Sequence, residues 1–299
     1  MSLLSTEKDA KVSTIEAITP VFDGPDGATS VLDRMGTNPE LIQDKPGTLP
    51  LMLIHDGGGT ALAYRLLGDV GRTVLGVHSP GLREGKGIVS IRHAADQYAH
   101  FARQWLDQHT PHGSRLLMGG WSLGGTIAIA LAAAHPDIVA GVVLLDPPPP
   151  GTAAMKSDEA EQLIPSRTKR TSGGFSALVG TQLKMNSQSF SVDADRVGGH
   201  RDLVANLRAP VYLVSATEPL NRQEAKGTTL PRPGSCSEWM LSPQRASLGE
   251  RAWSDLLGKL LVRTERIPGD HFTIFTHAHA ASTTRVVQQA AGALEAIAV

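Results

Sequence analysis

Short unbroken apolar runs, each closed by glycine, proline or aspartate, alternate along this chain with stretches of helical period. "LPLMLIH" (49–55), "RTVLGVHSP" (72–80), "SRLLMGG" (114–120), "IVAGVVLLDP" (138–147) and "APVYLVSAT" (209–217) lack the alternation of a strand that is wet on one side. They predict strands buried on both faces. From Ser90 to His109 the pattern changes, with Ile91, Ala95, Tyr98, Ala102 and Trp105 recurring at spacings of four and three, the mark of an amphipathic helix. "LGGTIAIALAAAHP" (123–136) predicts a second helix that stops before Pro136. Further on come a loop through "LPRPGSCSEW" (230–239), a helix around Leu248 to Leu261, a strand "LVRTERIPG" (261–269) and a last helix rich in alanine and valine.

Strand and helix alternating through short joints specify an α/β fold, a mostly parallel central sheet flanked by helices. Residues 1–48, with short apolar patches among Gly, Pro, Asp and Asn, are expected to form strands and loops packed on this core, which occupies 49–299. From Pro147 to about 208 the alternation lapses into Ser, Thr, Gly and charge, too long for an ordinary joint. This stretch, about 147–208, is expected to be a lid inserted after the strand that ends at Asp146, with "GGFSALVGTQL" (173–183) as its apolar wall.

Composition narrows the partners. Lys and Arg number 28 against 29 Asp and Glu, and no basic cluster stands out, so neither nucleic acid nor a membrane surface is expected. The start, MSLLSTEKDA, shows no secretory or transit pattern, and no apolar run approaches a bilayer span. A cytoplasmic protein is the expectation. The single cysteine, Cys236, excludes an internal disulfide and a multi-thiolate metal site; set in a loop with no adjacent base, it is not expected to be catalytic.

The chemistry starts at Gly120-Trp121-Ser122-Leu123-Gly124, a G-x-S-x-G string between a predicted strand and a predicted helix. A turn this tight needs small flanking residues, holds the hydroxyl out, and offers the free N–H groups of a helix start to an oxyanion. Ser122 is the candidate nucleophile. A serine needs a base, and His271 in "IPGDHFTIF" follows the last predicted strand, where a loop can return it over the serine. Two carboxylates compete to orient it: Asp146, closing the strand after the nucleophile's helix, and Glu218, closing the next strand. Both stand at carboxyl ends of strands, where open α/β sheets build sites; Asp146 has the shorter reach and is favoured. The Leu123 N–H, joined by that of Gly57 or Gly58 in "HDGGGT", is the expected oxyanion hole. His55, His78 and Trp121 are candidates for the pocket wall; Trp239 and Trp253 are read as core, Asp270 as a solvated loop residue, and no metal is expected.

"HDGGGTALAY", "VLGVHSPGL", "GGWSLGG", "VVLLDPPPP" and "GDHFTIF" together resemble the thioesterase and Claisen-cyclase domains that end fungal polyketide synthases, and more broadly type I thioesterases of polyketide and peptide synthases. The resemblance runs from about Leu49 to Phe275 and implies the α/β-hydrolase fold with a lid after its sixth strand. It places the acid at the end of that strand, which supports Asp146. It implies no cofactor, but an acyl chain carried as a thioester on the phosphopantetheine of a carrier domain, or on coenzyme A, and released through an acyl-enzyme by water or by cyclisation. His78 stands where the family more often has Asn or Asp. The chain shows no carrier-type serine motif, so it either acts in trans on a separate synthase, the favoured expectation, or is a domain cut from a larger chain. The alternatives are a small-molecule carboxylesterase or lactonase sharing every one of these residues, a non-hydrolytic cyclase using the pocket as a mould, and a binding protein that has lost its chemistry.

Overall fold

The computed structural model describes residues 37–153, 181–186, 199–220 and 235–298. Seven strands form one sheet in the order β1-β3-β2-β4-β5-β6-β7. They are β1 Glu40–Gln43, β2 Leu51–Ile54, β3 Val74–Val77, β4 Leu116–Trp121, β5 Val139–Leu145, β6 Val211–Ala216 and β7 Leu261–Ile267. Every neighbouring pair is parallel except β1 with β3. The N-terminal segment thus contributes an antiparallel edge strand.

Helices cover both faces, which is why the strands read as unbroken apolar runs. On one side Met52, Ile54, Met118, Val142 and Leu144 meet α1 (Ile91–His109), α2 (Leu123–Ala134) and α5 (Arg245–Leu257). On the other, Leu51, Leu53, Leu117, Val143 and Val214 meet α6 (Ala280–Ala298). The period of two along a strand sends alternate residues to the two cores. Ser90 caps α1, its hydroxyl accepting from the His93 N–H at 3.1 Å. In α2 every residue from Leu123 to Ala133 is buried, because the helix is held between the sheet and α1. β7 is the other edge, and its exposed Arg263 and Arg266 mask the open hydrogen-bonding groups.

Three sequence-based boundaries shift. The stretch through Trp239 contains a helix, α4 (Cys236–Leu241), whose start is capped by Ser235 accepting from the Glu238 N–H at 3.2 Å. The following helix starts at Arg245, not Leu248, and closes at Leu257. The expected lid does not extend to 208: α3 (Gly199–Val204) packs on α2, and Leu203 and Leu207, four apart, belong to the core. Polar residues around that apolar pair hid it. Most of the stretch expected to be a lid, including 173–180 of its expected apolar wall, lies outside the described residues. The short helical segment 181–186 sits on the loops at 57–59 and 86–88. No helix among the described residues is long and apolar enough to cross a membrane.

Candidate active site

The carboxyl ends of β2, β4, β5 and β6 meet at one edge of the sheet, and the sharpest turn there is the step from β4 into α2. Ser122 occupies it with φ 57° and ψ −123°, a left-handed conformation that a non-glycine residue adopts only under constraint. The constraint is visible at the flanking glycines. A Cβ on Gly120 would lie 2.4 Å from the carbonyl carbon of Gly124, and one on Gly124 would lie 2.3 Å from the Ile54 oxygen and 2.5 Å from that of His55. These contacts are backbone to backbone, so no rotamer relieves them. Gly124→Ala is expected to cost about 3 kcal/mol or more by overpacking. Gly125→Ala, whose Cβ would come no nearer than 3.0 Å to the Gly120 carbonyl oxygen and 3.2 Å to Pro147, should cost markedly less. Urea melts of the two variants decide it, and equal midpoints would refute the steric account.

Ser122 is partly exposed, whereas His271 and Asp146 are buried. The Ser122 hydroxyl lies 2.9 Å from His271 Nε2, and His271 Nδ1 lies 2.7 Å from Asp146 Oδ2. A carboxylate can only accept, so Nδ1 carries the proton and Nε2 is left to accept from the serine. The Asp146 carboxylate takes a second donor and a third: the Ala216 N–H reaches Oδ1 at 2.9 Å, and Arg245 Nη2 reaches Oδ2 at 2.7 Å. Burial pushes the carboxyl up. Arg245 and His271 outweigh it and hold its pKa down at about 2.

Glu218 goes elsewhere. Its Oε1 accepts from the Gly269 N–H at 3.0 Å and its own N–H donates to the Gly269 carbonyl at 2.9 Å, so it braces the loop that carries His271. Asp270 is half-buried rather than solvated, its Oδ1 accepting from the Phe272 N–H at 2.8 Å in the turn after His271. The histidine ring is boxed by Trp121 at 5.6 Å, Trp239 edge-on at 5.7 Å and Phe272 at 5.0 Å. Trp239 is therefore both core and a wall of the site, while Trp253 is wholly buried in the helical layer.

At the glycine loop the two backbone donors separate. The Gly58 N–H is taken by Asp56 Oδ1 at 2.9 Å, whereas the Gly57 N–H makes no hydrogen bond among the described residues. Leu123, the first residue of α2, likewise has no intrahelical acceptor for its N–H. Asn186 donates to the Gly57 carbonyl at 2.9 Å, and Leu183 would touch a Cβ placed on Gly57, so segment 181–186 fixes this loop from above. Tyr64 ties the two halves together, its hydroxyl donating to the Ile54 carbonyl at 2.6 Å and accepting from the Trp121 N–H at 2.8 Å. Tyr64, Asn186 and Arg245 escaped the sequence reading. Only Tyr64 lay inside a motif singled out there, "HDGGGTALAY".

His55 and His78 point inward. His55 engages the Tyr98 hydroxyl at 2.6 Å and donates to the Asp56 carbonyl at 2.6 Å. His78 accepts from the Ala61 N–H at 3.1 Å and reaches Glu40 at 2.9 Å, pinning edge strand β1. Burial lowers both pKa values to about 4, with His78 adding for His55 and Arg65 for His78. Burial pushes Asp56 up to about 7, against the N–H groups of Gly58 and Thr60.

These shifts set a pH dependence of stability. Between about 4 and 6.5 the unfolded chain binds a proton on each of His55 and His78 that the folded chain refuses, so their contribution is lost as pH falls. Asp56 acts in the opposite sense, the folded chain keeping a proton up to about 7 that the unfolded chain sheds above 3.8. His200, lowered by burial, and Asp270, raised by it, oppose each other. Two against one leaves stability rising by about 1.4 kcal/mol per pH unit, and Asp56→Asn should double the slope. Urea unfolding at pH 4.5, 5.5 and 6.5 tests it; a flat wild-type profile contradicts the burial argument.

The described residues contain no group of three metal-ligating side chains. Comparisons with known proteins bear on the fold. The alpha/beta hydrolase fold family matches residues 50–192. With its mostly parallel central sheet flanked by helices on both faces, the chain has the architecture of that fold. It is similar to parts of fungal polyketide and peptide synthases and to separate fungal thioesterases. It is 42% identical over 266 residues to atrochrysone carboxylic acid synthase PKS4 of Calonarius odorifer, an alignment covering 89% of this chain and 16% of the synthase. It is 27% identical over 267 residues to thioesterase frbD of Dothideomycetidae sp., covering 86% of this chain and 94% of that one. Among solved structures, the NocB thioesterase domain in covalent complex with a fluorophosphonate nocardicin G analogue superposes with a TM-score of 0.57 at 22% identity, covering 82% of this chain and 96% of that one. That likeness is one of fold. The chain spans about a sixth of the synthase's length.

Proposed function

We propose that this protein is a thioesterase that releases a polyketide-type acyl chain from the phosphopantetheine thioester of a carrier protein. Ser122 is the nucleophile, His271 the base and then the acid, and Asp146 the group that holds the imidazole. The observation that carries the reading is the continuous chain of hydrogen bonds, 2.9 Å from Ser122 to His271 and 2.7 Å from His271 to Asp146. As Ser122 Oγ attacks the thioester carbon, its proton passes to His271 Nε2, and negative charge gathers on the carbonyl oxygen. The N–H groups of Leu123 and Gly57 stabilise that oxygen. Collapse expels the thiolate, which takes the proton from His271 and leaves an ester on Ser122. Water, activated by the same histidine, or a nucleophile within the acyl chain then frees the product.

A serine hydroxyl hydrogen-bonded to a histidine makes thioesters better substrates than amides, because the departing thiolate needs little protonation. Action in trans, on a carrier of another chain, is supported by thioesterase frbD, a relative covered over 94% of its length. The test is intact mass after incubation with an acyl-pantetheine thioester and with the matching simple ester. An acyl adduct that forms faster from the thioester supports the reading. Preference for the simple ester makes the protein a carboxylesterase, and absence of any adduct and any turnover overturns it.

A further inference from the structure

Outside the three residues that perform this chemistry, the most unusual group in the molecule is Arg245, a guanidinium with no exposed side-chain surface. Burying a cation is expensive unless it is paired, and among the described residues Arg245 is ion-paired with Asp146 Oδ2, at 2.7 Å. The rest of the fork serves to place it. Nη1 donates to the Ala216 carbonyl at 2.7 Å, and the guanidinium lies over the Trp239 ring, 4.3 Å from its centre. Trp239 Nε1 returns a hydrogen bond to the Arg245 carbonyl at 2.9 Å, and the same indole meets His271 edge-on. Ala216 itself donates to the other oxygen of Asp146. Arginine, tryptophan and the end of β6 form one frame around a single carboxylate.

We propose that Arg245 is a positioning residue of the site, which locks the Asp146 carboxylate and, by sharing Oδ2 with His271, extends activity toward lower pH. The inference rests on the function proposed above. Arg245 Nη2 and His271 Nδ1 each lie 2.7 Å from the same oxygen, so the two nitrogens cannot be further apart than twice that distance. A fixed positive charge so close disfavours a second one on the imidazole. The other charged groups around the ring do not replace this effect. Asp270 of the same loop is held toward its neutral form by burial, Glu218 is committed to Gly269, and Glu238 of α4 faces solvent.

The test follows the rate of Ser122 labelling by a fluorophosphonate from pH 4.5 to 9 in the wild type, Arg245→Gln and Arg245→Lys, with folding checked by circular dichroism. Gln keeps a donor and loses the charge; Lys keeps the charge and loses the fork. The acid limb is expected to move up by about one pH unit in Arg245→Gln and to stay within about 0.3 unit in Arg245→Lys, with labelling at pH 9 within tenfold of wild type. A purely structural arginine would lower the rate at every pH and leave the limb in place. A folded Gln variant with an unmoved limb overturns the proposal. If that variant does not fold, the Lys variant decides, and a displaced limb there overturns it. A wild type that takes no label overturns the proposed function and this inference with it, whereas a labelled wild type with unmoved limbs overturns this inference alone.

Discussion

Ser122→Ala is expected to abolish turnover of an acyl-pantetheine thioester, by about 10⁴-fold or more, while the protein melts within a few degrees of wild type. The chemical loss is complete because, among the described residues, no second hydroxyl accompanies Ser122 on His271 Nε2. The structural loss is small because the elbow is held by its backbone. The Ser122 N–H donates to the Leu145 carbonyl at 3.0 Å and its carbonyl accepts from the Gly125 N–H at 3.1 Å, and alanine keeps both. The left-handed φ of 57° is no harder for alanine than for serine. His271→Ala should cost a similar factor, and the double variant little more, since the two act as one unit. Residual activity in both would come from the Leu123 and Gly57 N–H groups. Full product formation by Ser122→Ala would mean that the pocket works as a mould, without an acyl-enzyme.

The order of elements was legible because a doubly covered sheet writes itself plainly. β2, β4 and β5 are buried along their whole length, so each is an apolar run bounded by the loop residues where the site is built. The same boundary logic exposed Ser122 and Asp146, both of which close strands, and His271, which follows one. What stayed hidden was whatever depends on contacts distant in the chain. Arg245 and Asp146 are 99 residues apart, and an arginine opening a helix looks like any solvated cation until the fold buries it. α4 was missed because Pro231 and Pro233 precede it and it has barely six residues. Glu218 shows the converse. It stands where an acid could serve, and only the Gly269 backbone reveals that it braces the loop instead.

Asp146 joins these lines, since a single substitution there should damage both chemistry and stability. Asp146→Asn is expected to lower turnover by about 10⁴-fold, because the amide reverses the hydrogen-bond direction at the histidine. With its oxygen accepting from the Ala216 N–H, the amide would turn its NH₂ toward His271 Nδ1, which must then accept. The ring proton moves to Nε2, and Nε2 can no longer take the proton of Ser122. The same NH₂ would face Arg245, leaving a cation with no exposed surface beside a donor. Removing one partner of a buried pair costs about 3–5 kcal/mol, and that is the expected loss in urea unfolding. Backbone strain does not explain it, since asparagine tolerates the φ of 47° at this position at least as well as aspartate. The decisive variant is Asp146→Asn with Arg245→Gln, in which the stranded charge is gone. Its stability should exceed that expected from the two single losses by about 2 kcal/mol, while turnover stays as low as in Asp146→Asn alone. Strict additivity of the stabilities would show that the arginine and the aspartate do not depend on each other. Recovery of turnover along with stability would show that the carboxylate serves only to neutralise the arginine, and that His271 finds its orientation from the aromatic rings around it.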